Sequence, residues 1–435
     1  MIAKLITMKY KNIDSKLFIH NRRLFSEKMD KKSLSIFCSN DIMPTNADGT
    51  MPFVQNSDLF WLSGVDQEES KLIIFPESSN PNHREILFLK ETSDLIAIWE
   101  GEKLSKEKAF ETSGIRTVYW NTQFEDIFKE LMKEAETVYL NSNEHARSNS
   151  KVQTQTDRFN DLCKSNFSAK EYLKAAPIMH DLRAVKHPLE IELLQHACNI
   201  TEKGFRRVLN FVKEGVMEYE IEAEYIHEFL INRSKGFAYE PIIASGRNAC
   251  VLHYIENNKV CQDGDVILMD VGAEYANYAS DMTRCIPVSG RFTKRQKDVY
   301  NSVLNVMKQA TSMLKPGILL GDYHKEVGLV MQSELLGLGL IDQHDIDKQD
   351  PKKPAYKKYF MHGTSHFLGL DVHDVGHFDK PIKEGMVFTC EPGIYILQEN
   401  LGIRLENDIV ITKDKPFDLM ANIPLEADEI ESLMN

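Results

Sequence analysis

The pattern of apolar and polar positions divides the chain into two stretches of different rhythm. Up to residue 173, apolar runs of strand length alternate with helical periodicity. "LSIFCSN", "LFWLSGV", "KLIIFP", "EILFLK", "RTVYW" and "TVYLN" are rich in β-branched and aromatic residues, are bounded by turn formers, and predict strands. Before the last of these, "FEDIFKELMKEAE" sets Phe124, Ile127, Phe128, Leu131 and Met132 at helical spacing. Alternation of this kind predicts an α/β domain over residues 1–173. The second stretch, 174–435, opens on a long helical pattern with Pro188 in a first-turn position and Ile191, Leu194 and Cys198 on one face. A second helix follows in "EYEIEAEYIHEFLINRSKG", its end predicted at Gly236. From about residue 240 strands and glycine dominate, apart from the lysine-rich segment "LIDQHDIDKQDPKKPAYKKYF", which predicts a surface excursion.

Acidic residues interrupt this second pattern where a sheet should be apolar. "GDVILMDVGAEYANYASDMTRCIPV" (264–288) predicts a β-hairpin, with Asp270 directly after an apolar run, where a carboxylate is costly to bury. Asp281 lies 11 positions later; this odd separation allows the two to face each other directly across the hairpin. "GMVFTCEPGIYI" and "GIRLENDIVIT" repeat the arrangement with Glu391 and Glu406, 15 positions apart, through a hairpin at "LQENLG". Like charges opposed in this way destabilise a sheet unless a cation lies between them. Four carboxylates plus one imidazole call for two divalent ions. The oxygen-rich set suits Mn²⁺, with Zn²⁺ or Co²⁺ as alternatives. Water shared by two such ions is deprotonated near neutral pH and can act as the nucleophile of a hydrolysis.

Composition narrows the setting. A formal net charge of −13, from 52 Lys+Arg against 65 Asp+Glu, argues against a nucleic-acid surface. The seven cysteines occur singly, without a C-x-x-C pair, which favours reduced thiols and a cytoplasmic location. The opening "MIAKLITMKYKNIDSK" has too short an apolar run for a signal peptide, and no segment reaches the length of a membrane span. Either Met1 or Met8 can serve as the start.

"MHGTSHFLGLDVHDVGH" (361–377) carries His362, His366, His373 and His377. The i, i+4 spacing of the first two resembles a zinc helix, but no Glu follows His362, and Gly363, Thr364 and Gly369 are poor helix formers. A looped or extended conformation is predicted instead.

Taken in order, Asp270, Asp281, His366, Glu391 and Glu406, within "MDVGAEYANYASDMTR", "HGTSHFLGLDVHDVG", "EPGIYI" and "IRLENDIVI", resemble the ligand set of the pita-bread metallopeptidases. Within that group the chain is similar to the aminopeptidase P family, also in "SDLFWLSGVDQEES", "IWEGEKL", "LRAVKHPLEIELL", "NACVLHY" and "EADEIESLMN". The resemblance implies an α/β N-terminal domain (1–173) plus an α+β pita-bread (creatinase/aminopeptidase-like) C-terminal catalytic domain (174–435). It implies a homo-oligomer, dimer or tetramer, that hydrolyses the bond between an N-terminal residue and a penultimate proline, with no nucleic-acid or membrane partner. Asp270, Asp281, His366, Glu391 and Glu406 would bind the metals, and Glu391 would also serve as acid/base. His253 and His373 would bind substrate and stabilise the tetrahedral intermediate, His362 would line the pocket, and Arg404 would orient the carboxylates. Trp99, in "IWEGEKL", would reach a neighbouring subunit's site, or else pack in a core. Cys390 and Tyr395 are expected to pack, and His377 to stand in solvent. The rival readings are a prolidase confined to dipeptides, a metal-free creatine hydrolase, and a catalytically inert binding module that has lost ligands.

Overall fold

Six strands build the N-terminal sheet: β1 (Ser33–Cys38), β2 (Lys71–Ile74), β3 (Glu85–Leu89), β4 (Thr117–Trp120), β5 (Thr137–Leu140) and β6 (Glu171–Lys174). Their order is β4-β3-β2-β1-β5-β6; β2 runs antiparallel to both neighbours, and the remaining pairs are parallel. Every residue of β1 is buried, as expected of a strand covered on both faces. Leu34, Ile36 and Cys38 share one cluster with Phe128, Leu131 and Met132 of the helix Phe124–Glu134, whereas Phe37 meets Phe25 edge-on at 5.3 Å. This computed structural model describes residues 10–435, so Met1 and Met8 lie outside the described residues. The chain separates into a unit of Asn12–Arg183 and a unit of Ala184–Asn435, the latter including Tyr10 and Lys11. The division falls ten residues beyond the expected 173/174: β6 ends at Lys174, and most of the helix Ala176–Ala184 that follows goes with the first unit.

Two elements differ from the sequence pattern. "LFWLSGV" is helical over Ser57–Ser63. The Asn56 side chain accepts from the amides of Asp58 and Leu59, and Gly64, at φ 68°, ends the helix in a left-handed cap. A run buried on every side has no alternation, so caps decide its state. The second long helix ends at Ile231 with Asn232 as its cap, short of Gly236.

The C-terminal unit places the four carboxylates singled out by the sequence on two hairpins. In the first, β8 (Val266–Val271) is the central strand between β7 (Ile242–Ser245) and β11 (Met282–Pro287). The same register continues through β9 (Glu274–Tyr275) and β10 (Tyr278–Ala279). The turn between them has Ala276 at φ 54° and Asn277 at φ 66°, the signature of a type I′ turn. In this register Asp270 pairs with Thr283, so Asp281 is not its direct partner as the sequence suggested. Asp281 lies two residues further along, on the same face and diagonal to Asp270, because the tight turn sets the pairing. The second hairpin joins β12 (Val387–Cys390) and β13 (Gly393–Ile396) to β14 (Leu401–Arg404), β15 (Asn407–Val410) and a short edge strand β16 (Phe417–Asp418). Both halves keep one register, which puts Glu391 across from Glu406 at the interruption between them. The two hairpins join where the Glu406 amide donates to the Thr283 carbonyl at 3.1 Å.

Opposite Asp281 the register calls for a residue without a side chain. A Cβ on Gly272 would stand 1.7 Å from the Ser280 carbonyl oxygen. Gly272→Ala is therefore expected to destabilise the protein by about 1–3 kcal/mol, as overpacking does. An unchanged denaturant midpoint would contradict this register.

Candidate metal centre

His366 shows how the fold aims a ligand. The chain from Thr364 to Leu368 runs beside β12: the Thr389 amide donates to the His366 carbonyl at 3.0 Å, and the Glu391 amide to the Thr364 carbonyl at 2.8 Å. No helix forms between His362 and His366, in keeping with their glycines. The His366 ring engages the Phe367 carbonyl at 2.9 Å through Nδ1, leaving Nε2 to face Asp281 Oδ2 at 3.4 Å and Glu391 Oε1 at 3.6 Å. A ring fixed through one nitrogen presents the other to a metal.

Asp281 and Glu391 face this nitrogen, and Glu406 and Asp270 join them through shared partners. Asp281, His366 and Glu406 offer ligand atoms within 4.8 Å of one another. The Tyr239 hydroxyl spans Asp270 and Asp281, at 2.7 and 2.5 Å. Thr283 donates its hydroxyl to Glu406 at 2.6 Å and accepts from Arg404 Nε at 3.0 Å. Arg404 also pairs with Asp270 through Nη2 and donates through Nη1 to the Tyr395 hydroxyl at 2.9 Å. Tyr395 in turn meets Nε2 of His362 at 2.8 Å. The five expected ligands and Arg404 thus form one cluster of hydrogen bonds and ion pairs, with Arg404 directed at Asp270.

The electrostatics fit cations. Burial, then Asp281, Glu391 and Asp270, push the Glu406 carboxyl well above its ordinary range. Burial lifts Glu391 to about 7 against the opposing pull of His366 and Arg404. Asp270 is also raised, chiefly by burial, with Arg404 working against the rise. Burial alone would lower His366, yet its hydrogen bond to Asp281 and the charges of Glu391 and Asp281 outweigh it and raise the ring to about 9. Such a surplus of negative charge in a dry site is the environment that divalent ions relieve.

The substrate-type histidines differ in setting. His373 packs edge-on against His366, ring centroids 4.4 Å apart, beside the buried pair Lys186–Asp374 at 2.8 Å. His362 is held neutral: burial, then Arg404, bring it down to about 3, and His253 is close enough to add to the effect. His253 itself is exposed. His377, expected in solvent, is half-buried. Trp99 is 80% exposed on the helix Asp94–Glu100, which rules out the core-packing alternative. Cys390 is fully buried, and burial pushes its thiol up to about 12.

Sequence reasoning passes over Tyr239, Thr283 and Asp408, and reads Tyr395 as packing. Asp408 stands at the head of the apolar run Ile409-Val410-Ile411, a weaker signal than that of Asp270; its Oδ2 accepts the Asp281 amide at 3.0 Å and the Cys198 thiol at 3.3 Å. Tyr239, in "FAYEP", has no such signal.

Two tests follow from the geometry. Thr283→Val keeps the shape but strips Glu406 of a donor and Arg404 of an acceptor. The expected cost is about 1–3 kcal/mol of stability and about 10- to 100-fold in divalent-ion affinity, read by calorimetric titration with Mn²⁺; unaltered binding would refute it. For the metal-free protein, the raised Glu391 favours the folded state fully below its ordinary 4.5, and this gain is lost as pH climbs through about 7. The raised His366 favours folding below its ordinary 6.5 and loses that contribution through about 9. Both signs agree: the melting temperature of the chelated protein should fall from about pH 5 to about pH 9, and saturating divalent ion should flatten the fall. A chelated protein that gains stability over that span would overturn the assignment.

Comparison with known proteins places the chain in a family. Residues 192–413 match the model of metallopeptidase family M24, and residues 18–139 that of the aminopeptidase P N-terminal domain. The Xaa-Pro aminopeptidase of Escherichia coli is 32% identical over 430 residues, covering 96% of this chain and 97% of its own. A solved structure described as a putative aminopeptidase P from Bacillus anthracis superposes with a TM-score of 0.90 at 32% identity, covering 97% of this chain and 98% of that one. A zinc-substituted E. coli aminopeptidase P in complex with product gives 0.86 at 31% identity, covering 98% and 99%. The chain belongs to metallopeptidase family M24, with the two-domain organisation of its aminopeptidase P members.

Proposed function

We propose that this protein is a metal-dependent Xaa-Pro aminopeptidase, releasing the first residue of peptides whose second residue is proline. The observation that carries this reading is the buried convergence of Asp281, His366 and Glu406, with Asp270 and Glu391 alongside, in a chain related to aminopeptidase P along nearly its whole length. A prolidase remains the neighbouring activity, but the relatives named above are aminopeptidases. The metal-free and inert alternatives lose their ground, since all five ligand positions are filled.

Asp270, Asp281, His366, Glu391 and Glu406 would hold two divalent cations, and the four carboxylates favour Mn²⁺ over Zn²⁺ or Co²⁺. When bound, such ions polarise a carbonyl and make water a nucleophile near neutral pH. The chain's own groups do the rest. Glu391, a carboxylate facing His366, would take a proton from the attacking water and pass it on. The proline nitrogen leaves as a secondary amine and must gain that proton. His253 and His373 are assigned to the substrate carbonyl, where an imidazole N–H stabilises the developing oxyanion. His362 lines the pocket as a neutral ring fixed by Tyr395.

Leu95, Ile98 and Trp99 are 65, 77 and 80% exposed on one helix with no buried residue. That apolar face supports a homo-oligomer in which Trp99 meets a neighbouring copy near its substrate. We assign the protein to the cytoplasm, where its cysteines, all seven unbridged, stay reduced. None of the described helices is long and apolar enough to cross a membrane.

The deciding assay compares Xaa-Pro-Yaa with Xaa-Pro in Mn²⁺. Tripeptide cleavage should be abolished by chelator and restored by metal, and Asp281→Asn should lower kcat/KM by more than about 100-fold. Cleavage of the dipeptide alone would establish a prolidase, and hydrolysis undiminished by chelation would defeat the proposal.

A further inference from the structure

The segment between β7 and β8 carries His253 and includes no strand. His253 is exposed, as are Val251 and Ile255 at 54 and 51%. A solvent-facing loop of this kind fixes a side chain poorly unless something else anchors its backbone. Here four of the anchoring hydrogen bonds converge on one carboxylate. Glu218, the first residue of the helix Glu218–Ile231, is completely buried. Its Oε1 accepts from the Ser245 amide at 2.8 Å and from Asn248 Nδ2 at 3.1 Å. Its Oε2 accepts from the Tyr254 hydroxyl at 2.7 Å and the Lys259 amide at 2.9 Å. The four donors come from both ends of the loop and from the residue next to His253.

Neighbouring contacts complete the frame. The Glu218 amide donates to the Lys259 carbonyl at 2.9 Å. Asn257, left-handed at φ 44°, accepts from the Ile243 amide at 2.9 Å and donates to Glu222 and to the Pro241 carbonyl, each at 3.0 Å. On the other side the loop lies against the second hairpin, where a Cβ on Gly402 would come within 2.2 Å of the Ala249 carbonyl oxygen.

We propose that Glu218 is a positioning residue: its buried carboxylate folds residues 245–259 into one shape and thereby sets His253 against the substrate carbonyl. It is neither a metal ligand nor in contact with one of the carboxylates of the cluster, so it acts through the loop. The inference rests on the substrate role given to His253 above.

Glu218→Gln is the informative variant, because an amide keeps the shape but turns one accepting oxygen into a donor facing two donors. Tyr254→Phe removes one of the four bonds and spares the carboxylate. With metal saturated, Glu218→Gln is expected to lower kcat/KM on the tripeptide by about 10- to 100-fold, the scale of a misplaced catalytic group, and Tyr254→Phe by less. In the His253→Ala background the Glu218→Gln loss should shrink to within about twofold, since residues acting as one unit are not additive. Independently of activity, hydrogen exchange of the metal-free variant should quicken across 246–259 and stay unchanged in β8 and β11. An equal loss with and without His253, or unaltered exchange in the loop, overturns the inference while leaving the role of His253 intact. Full activity in His253→Ala alone would instead remove that role, and this inference with it.

Discussion

Four carboxylates that repel one another inside a poorly hydrated site are the constraint around which the C-terminal unit is built. Burial and mutual charge raise Asp270, Glu391 and Glu406 together, a condition that a fold left to its own stability would avoid. Arg404 offsets part of this charge but pairs with Asp270 alone. The remainder is a concentration of negative charge shaped for cations, and the polypeptide is rigid where that charge lies.

The rigidity has an identifiable source. Asp270 sits on a central strand flanked by Ile242 and Thr283, and Glu391 and Glu406 face each other at an interruption in a long antiparallel pair. The bridge from Thr283 to Glu406 locks the two hairpins together, and the same threonine binds both the Glu406 carboxylate and Arg404. Asp270 is therefore held within a strand, the other three carboxylates at strand ends, and His366 on a segment hydrogen-bonded alongside β12. The groups assigned to substrate are held differently, on loops fixed by buried polar anchors: Lys186–Asp374 beside His373, Tyr395 beneath His362, and Glu218 behind the His253 loop. Sheet positions give a metal site its precision, whereas anchored loops allow the peptide-binding surface to vary without disturbing the ions.

Much of this is legible in the order of residues alone. A carboxylate at the end of an apolar run is so poorly explained by packing that Asp270 and Glu391 stand out at once, and Glu406 repeats their spacing. The glycines of "HGTSHFLGLD" exclude a zinc helix for an equally local reason. Less visible are the partners. Tyr239 precedes β7 in ordinary surroundings, and Thr283 is an unremarkable strand residue; each matters only through neighbours far along the chain. The register of the first hairpin also escapes, since an odd separation fixes the parity of a pairing but not its offset. The Ala276–Asn277 turn chooses that offset.

By itself the sequence determined the two-domain α/β and α+β plan, the acidic and histidine candidates for ligands, and the family to which the chain belongs, because residue type, spacing and hydrophobic period are local properties written in order. Only the tertiary structure decided that "LFWLSGV" is a helix, that Asp281 lies diagonal to Asp270, and that Tyr239, Thr283, Tyr395, Asp408 and Glu218 hold the working groups in place. Those outcomes depend on caps, turn geometry and hydrogen bonds between residues up to 210 positions apart, as between Cys198 and Asp408. No one-dimensional pattern encodes which distant donor a buried acceptor will meet.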